Sequence, residues 1–151
     1  MITASIRWSN GGHDFLTNRY SRAHTWTFDG GKVIDASSSP DIVPVPMSDA
    51  SAVDPEEAFV ASISSCHMLW FLSIAAKAGF EVMEYRDDAV GSMQANEAGK
   101  LFIHRVTLHP IVTWSGDSEP PQDEVRQLHQ KAHEECFIAH SVKTEIVIEI
   151  K

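Results

Sequence analysis

The run Asp54-Pro55-Glu56-Glu57-Ala58-Phe59-Val60-Ala61-Ser62-Ile63-Ser64-Ser65-Cys66-His67-Met68-Leu69-Trp70-Phe71 decides the fold. Asp54 can accept from the free N–H groups at a helix start, Pro55 suits the first helical position, and Glu56 and Glu57 favour the positive end of the helix dipole. The run predicts a helix from Pro55 to about Ala78, with Gly79 as its left-handed stop. Apolar side chains fall on every side of it rather than along one stripe, which is the pattern of a central, buried element. Ser62, Ser64, Ser65, Cys66 and His67 form a small polar cluster in its middle.

On the N-terminal side, residues 3–8 and 21–28 alternate, and Asp29-Gly30-Gly31 marks a turn before a further strand over 32–37, an antiparallel beginning. Residues 38–54 hold three Pro and three Asp without a sustained period, a long connection of the kind that often serves function. On the C-terminal side, 80–95 and 100–114 read as long paired strands joined at Asn96-Glu97-Ala98-Gly99. Residues 123–135 return to a helical period with Val125, Leu128 and Ala132 on one face, and 144–150 alternate as a last strand. The order expected is βββ, α, ββ, α, β, in one domain spanning 1–151, with a fold class of α+β.

The chain has 151 residues, and 12 basic against 21 acidic residues leave a net charge of −9, which repels phosphate backbones, so no nucleic-acid partner is expected. The strongest apolar run, Met68–Leu72, is followed by Ser73 and Lys77, so no membrane-spanning segment is expected. The alternating N-terminus lacks the pattern of a secretory signal, which points to the cytoplasm. In that compartment a cysteine pair is more often catalytic, redox-active or metal-binding than a structural staple.

Cys66 lies about twelve residues into its helix, beyond the reach of the helix dipole, so a thiolate there needs another cation, and a guanidinium is the natural one. Taken alone, Cys66 reads equally well as a small core residue. Cys136, beside His133, Glu134 and Glu135 at the end of the second helix, is expected to be accessible. If the two helices pack together, the sulfurs come within disulfide range, and the pair works as attacker and resolver. His133, Cys136 and His140, with Cys66 and His67, also offer imidazole and thiolate ligands, but their spacing is no recognised zinc signature, and no bound metal is expected.

The Asp54-Pro55-Glu56 start, the small-residue run into Cys66-His67, the hairpin between, and the late His133-Glu134-Glu135-Cys136 together resemble the OsmC/Ohr family of osmotically inducible and organic hydroperoxide resistance proteins. The resemblance covers nearly the whole chain. It implies antiparallel sheets wrapped around two central helices, in an intertwined homodimer. It further implies a thiol peroxidase that reduces organic hydroperoxides, and hydrogen peroxide less well, with Cys66 as the reactive cysteine and Cys136 as the resolving one. An arginine would activate Cys66, and Glu56 would hold that arginine. Arg19 and Arg22 both precede Asp29-Gly30; Arg22 has the better spacing and is taken for the role. No bound cofactor is implied, but an external dithiol reductant, lipoyl-linked, is.

Glu56 and Cys66 are ten residues apart, so either the helix breaks around Ser62–Ser65 or the site is assembled across the dimer, which the family favours. The chain departs from the family pattern in having Phe137 where members commonly carry proline after the second cysteine, and in its histidines at 24, 67, 133 and 140. A reading of a different class is a binding or oxidant-sensing module on the same fold, without turnover.

Overall fold

A computed structural model describes all residues from Met1 to Lys151 and divides them into two compact units, Met1–Ala58 and Phe59–Lys151. The first unit holds an antiparallel sheet of β1 (Ala4–Arg7), β2 (His24–Phe28) and β3 (Val33–Ala36), in that spatial order. Strands β2 and β3 are joined by the Asp29-Gly30-Gly31 turn, where Gly31 at φ 82° takes the left-handed conformation that a Cβ would oppose. Residues 38–54 form no strand of their own. They are pinned to the sheet by Val53, whose N–H donates to Asp35 and whose carbonyl accepts from Ser37, and by the Arg22 N–H bond to the Met47 carbonyl at 2.8 Å.

Helix α1 runs from Pro55 to Lys77. Its start is a reciprocal capping box: the Glu57 N–H donates to Asp54 Oδ1 at 2.8 Å, and the Asp54 N–H donates to Glu57 Oε2 at 3.2 Å. It ends where Gly79 adopts φ 84° and donates to the Ala76 carbonyl.

The long hairpin of the second unit is split. Its arms break into β4 (Val82–Asp87) with β5 (Val90–Ala95), and β6 (Leu101–Leu108) with β7 (Pro110–Trp114). Strands β4 and β7 make one antiparallel pair, while β5 and β6 belong to a second sheet completed by β8 (Glu145–Ile148). The break has a local cause: the Asp87 carboxylate takes the His109 backbone N–H at 2.7 Å, a donor that a continuous ladder would have used. Strand β8 pairs with β6 in parallel, the one departure from antiparallel order among the paired strands. The chain reaches β8 only after crossing through helix α2 (Gln122–Glu135), and such a crossover is what parallel neighbours need.

Two apolar clusters hold this unit together. Ile63 on α1 packs with Val106 and Leu108 of β6, flanked by Phe59, Val60, Ile146 and Ile148. About two to three turns further on, Phe71 and Ala75 pack with Leu128 and Ala132 of α2, over Tyr85, Val112 and Trp114. Gly91 on β5 permits the closeness of sheet and helix, since a Cβ there would stand 2.7 Å from Val60 Cγ2.

The expectation that α1 is buried on every side is not met within one chain. Only Ile63, His67, Phe71 and Ala75, spaced by four, are fully buried, while Leu69 on the opposite face is 60% exposed. The sequence also underrated the helix as an apolar segment: by length and composition α1 is long and apolar enough to cross a bilayer. Ser73 and Lys77, which follow the apolar run Met68–Leu72, lie on the exposed side of the helix. Its packing against α2 and the strands is that of a core helix.

Candidate functional site

The two cysteines meet where the α1–α2 packing ends. Cys66 is partly exposed, and Cys136 caps the C-terminus of α2 at 1% exposure. Accessibility is therefore the reverse of the expectation drawn from the charged neighbours of Cys136. Glu134 and Glu135 point to solvent on the far side of the last turn, while Cys136 continues the buried face of Leu128, His129 and Ala132. Both thiols are free, and Cys66 is near enough to act on the Cys136 thiol. Burial first, and the neighbouring Cys66 second, push the Cys136 thiol up to about 11. The Ala139 N–H, donating to Cys136 Sγ at 3.4 Å, acts in the opposite direction, since it favours the thiolate.

Beside the sulfurs lies a second polar pair, of which the sequence pointed to only one member. His67 Nε2 and His129 Nδ1 are 3.0 Å apart and both residues are 1% exposed, with the rings nearly coplanar in orientation at 3°. One ring must donate and the other accept, so the bond between them forms with both rings neutral. Burial is the main cause holding His67 down to about 4 and His129 to about 3. His133 lowers His67 further while Asp87 works against the shift; His67 adds to the lowering at His129. The outer nitrogens, His67 Nδ1 and His129 Nε2, are buried without a partner. The sequence signal for His129 was present: 129, 132 and 136 recur at the spacing of one helical face, extending the stripe of Leu128.

Ser62 and Ser64 of the small polar cluster on α1 make structural bonds. Ser64 Oγ donates to Asp87 Oδ2, tying the helix to the bend in the hairpin, and Ser62 Oγ donates back to the Phe59 carbonyl at 2.7 Å. Of the other residues weighed as metal ligands, His140 Nε2 donates to the Glu134 carbonyl, and no three His, Cys, Asp or Glu side chains converge on a common point.

Arg22 and Glu56 belong to the first unit. Arg22 lies over the Tyr20 ring at 3.6 Å, and its Nη1 donates to the Asn18 carbonyl at 3.0 Å and to the Tyr20 carbonyl. Nη2 donates to Asn18 Oδ1 at 2.8 Å, so the guanidinium is held by its own loop at the rim of an open cavity of about 470 Å³. Phe15 and Tyr20 stack beside that cavity with Trp8 packed against both at an angle, and His24 lines it in a fixed tautomer. His24 Nδ1–H donates to the Arg22 carbonyl at 2.7 Å, leaving Nε2 to accept from Trp26 Nε1 at 2.9 Å. Arg19 is exposed, its N–H bonded to the Asp14 carbonyl. Glu56 enters none of the ion pairs; the capping work at the start of α1 is done by Glu57. Because α1 is unbroken, the kink at Ser62–Ser65 that would bring Glu56 to Cys66 along one helix does not exist.

The fold is thus a mixed α+β one, with two helices and mainly antiparallel sheets, and a cysteine pair at the junction of the helices. Residues 48–151 match the family of OsmC-like proteins, and the chain belongs to that family. It is 52% identical to an OsmC-like protein of unknown function from Vibrio cholerae, with a TM-score of 0.97 over 100% of this chain and 99% of that one. An organic hydroperoxide resistance protein from Elizabethkingia anophelis shares the fold at 18% identity and a TM-score of 0.72, covering 99% of this chain and 93% of that one. The organic hydroperoxide resistance protein OhrB of Bacillus subtilis shares it at 19% identity and 0.69, covering 100% and 98%. No curated protein matches the sequence significantly.

Proposed function

We propose that this protein is a cysteine-based peroxidase of the cytoplasm that reduces organic hydroperoxides, and hydrogen peroxide less well. The observation that carries the proposal is the asymmetry of the adjoining thiols: Cys66 is partly exposed, while Cys136 is buried with its thiol pushed up to about 11. That arrangement divides the labour. The Cys66 thiolate attacks the distal oxygen of the hydroperoxide, the O–O bond breaks, and the alkoxide leaves and takes up a proton as the alcohol. Cys66 is then a sulfenic acid. Cys136, losing its proton, attacks the Cys66 sulfur, the S–O bond breaks, and water leaves as the disulfide forms. An external dithiol, lipoyl-linked in this proposal, supplies the two electrons that restore both thiols and is itself oxidised to a disulfide.

Arg22 is assigned the activation of Cys66, with Glu56 as its holder. Since the two make no ion pair within one chain, the pairing is assigned to an intertwined homodimer. The exposed apolar side chains of the first unit, among them Ile6, Val33 and Ile42, give such a partner a surface to cover.

Steady-state turnover of cumene hydroperoxide by the reduced protein with dihydrolipoamide tests the proposal. Turnover that is lost in Cys66→Ser supports it. No turnover by the fully reduced wild type overturns it, in favour of a binding or oxidant-sensing module.

A further inference from the structure

Helices α1 and α2 meet mostly through apolar side chains, Phe71 and Ala75 on the first and Leu128 and Ala132 on the second. Such contacts attract without direction, so they hold two helices together better than they fix the height of one against the other. One side-chain hydrogen bond joins the two helices, that between His67 Nε2 and His129 Nδ1. A hydrogen bond tolerates only a few tenths of an ångström and a narrow range of angle, so this one sets the register. The rings are braced for it: His129 stacks on Phe71 with centroids 4.1 Å apart and planes at 22°, and both histidines are buried.

The bond lies where the cysteines need a fixed register. His67 follows Cys66 directly on α1, and His129 stands seven residues, about two turns, before Cys136 on the buried face of α2. It is also a costly way to join two helices. In either neutral arrangement one outer nitrogen is an unmet donor and the other an unmet acceptor, and both are buried without a partner. Two apolar side chains would bind the helices without that penalty, and what they would lack is direction.

We propose that the His67–His129 bond positions the resolving cysteine, holding α2 against α1 at the height that presents Cys136 to the Cys66 sulfur. This rests on the peroxidase reading above for the step it serves, while the geometry it sets is that of any disulfide between Cys66 and Cys136. Both histidines are positioning residues: neither ring takes part in the chemistry, and the bonds that form and break are those already described.

Rapid mixing with cumene hydroperoxide separates the oxidation of Cys66 from the formation of the disulfide. His129→Leu, and the His67→Leu/His129→Leu double variant that leaves no ring alone, are expected to lower the ratio of the second rate to the first by roughly 10-fold. His129→Asn sets an amide where Nδ1 stands, keeps the bond to His67, and is expected to hold the ratio within about twofold of the wild type. A second readout needs no peroxide. On equilibration with dihydrolipoamide and lipoamide, the lipoamide disulfide takes up the two electrons and two protons that Cys66 and Cys136 give up. A tenfold loss of alignment raises the reduction potential of the cysteine pair by about 30 mV in both Leu variants, and His129→Asn is expected to leave it in place. That pattern of potentials, with no hydroperoxide consumption by the wild type, upholds the positioning and defeats the peroxidase reading. An unchanged rate ratio and potential in the double variant, with turnover by the wild type, overturns the positioning and leaves the peroxidase reading standing. An Asn variant as impaired as the Leu variants also overturns it, since volume rather than the bond would then be at work, and so does a wild type that forms no disulfide in the buffer.

Discussion

The two units are built on opposite terms. In Phe59–Lys151, α1 lays Ile63 on one sheet and Phe71 and Ala75 against α2, and each contact is apolar and buried. In Met1–Ala58 the only fully buried apolar side chain is Ala36, while Ile6 and Val33 are 62% and 53% exposed. What orders the first unit is polar and local: the Asp54–Glu57 box, the Arg22 clasp on Asn18 and Tyr20, and the His24 relay from Trp26 to the Arg22 carbonyl. A unit of this kind draws little stability from its own core, and its strands leave large apolar side chains exposed.

The contrast breaks most visibly at Phe71. Phe71→Ala empties the centre of the second unit and is expected to lower stability by about 3–5 kcal/mol, read as a drop in urea midpoint at fixed protein concentration. A loss below about 1 kcal/mol would mean that the second core does not carry the fold.

Acid should weaken the same unit. His67 and His129 have folded-state values depressed below the usual 6.5, so above that pH both states are neutral and full stability is present. As pH falls below 6.5 the unfolded chain takes up protons that the buried pair refuses, and stability declines until about pH 4 for His67 and about pH 3 for His129. The decline is on the order of 3 kcal/mol for His67 alone. Urea midpoints from pH 7 to pH 4 check it, and the His67→Leu/His129→Leu double variant, which leaves no single ring unpaired, should flatten the curve.

Gly91→Ala sharpens the comparison by testing helix–sheet closeness. Val60, stiff at χ1 on a helix, cannot easily yield the space, and a loss of about 1–3 kcal/mol is expected by thermal or urea unfolding. In the first unit, Ile6→Asp should change the stability of a single chain by no more than about 0.5 kcal/mol. Sedimentation should nevertheless shift it from dimer to monomer, and a wild type that is monomeric at micromolar concentration would remove the homodimer from the proposal.

What was legible in the sequence was whatever a local signal fixes. Asp54-Pro55 and Gly79 bracket α1 to within one residue, because a cap and a left-handed stop are decided by the residues that make them. The break at Asp88-Ala89 was hidden, since it depends on an Asp87 bond to His109, 22 residues away. The direction of β8 was hidden for a related reason: alternation in 144–150 shows a strand but not which neighbour it meets. At the site, Cys66 and Cys136 stood out by chemistry and spacing. Their relative exposure did not, because the charged residues next to Cys136 in sequence lie on the other side of its helix. His129 was passed over because it reads as one more polar residue until α2 is laid against α1 and His67 faces it.

The central claim is that two neighbouring thiols act in a fixed order, Cys66 first and Cys136 second. Intact mass after one equivalent of cumene hydroperoxide tests it most directly. The account predicts the loss of two hydrogens in the wild type, one added oxygen in Cys136→Ser, and no change in Cys66→Ser. One added oxygen in the wild type, with no disulfide, would contradict it, and would show that a chain with Phe137 after its second cysteine does not use that cysteine to resolve the first.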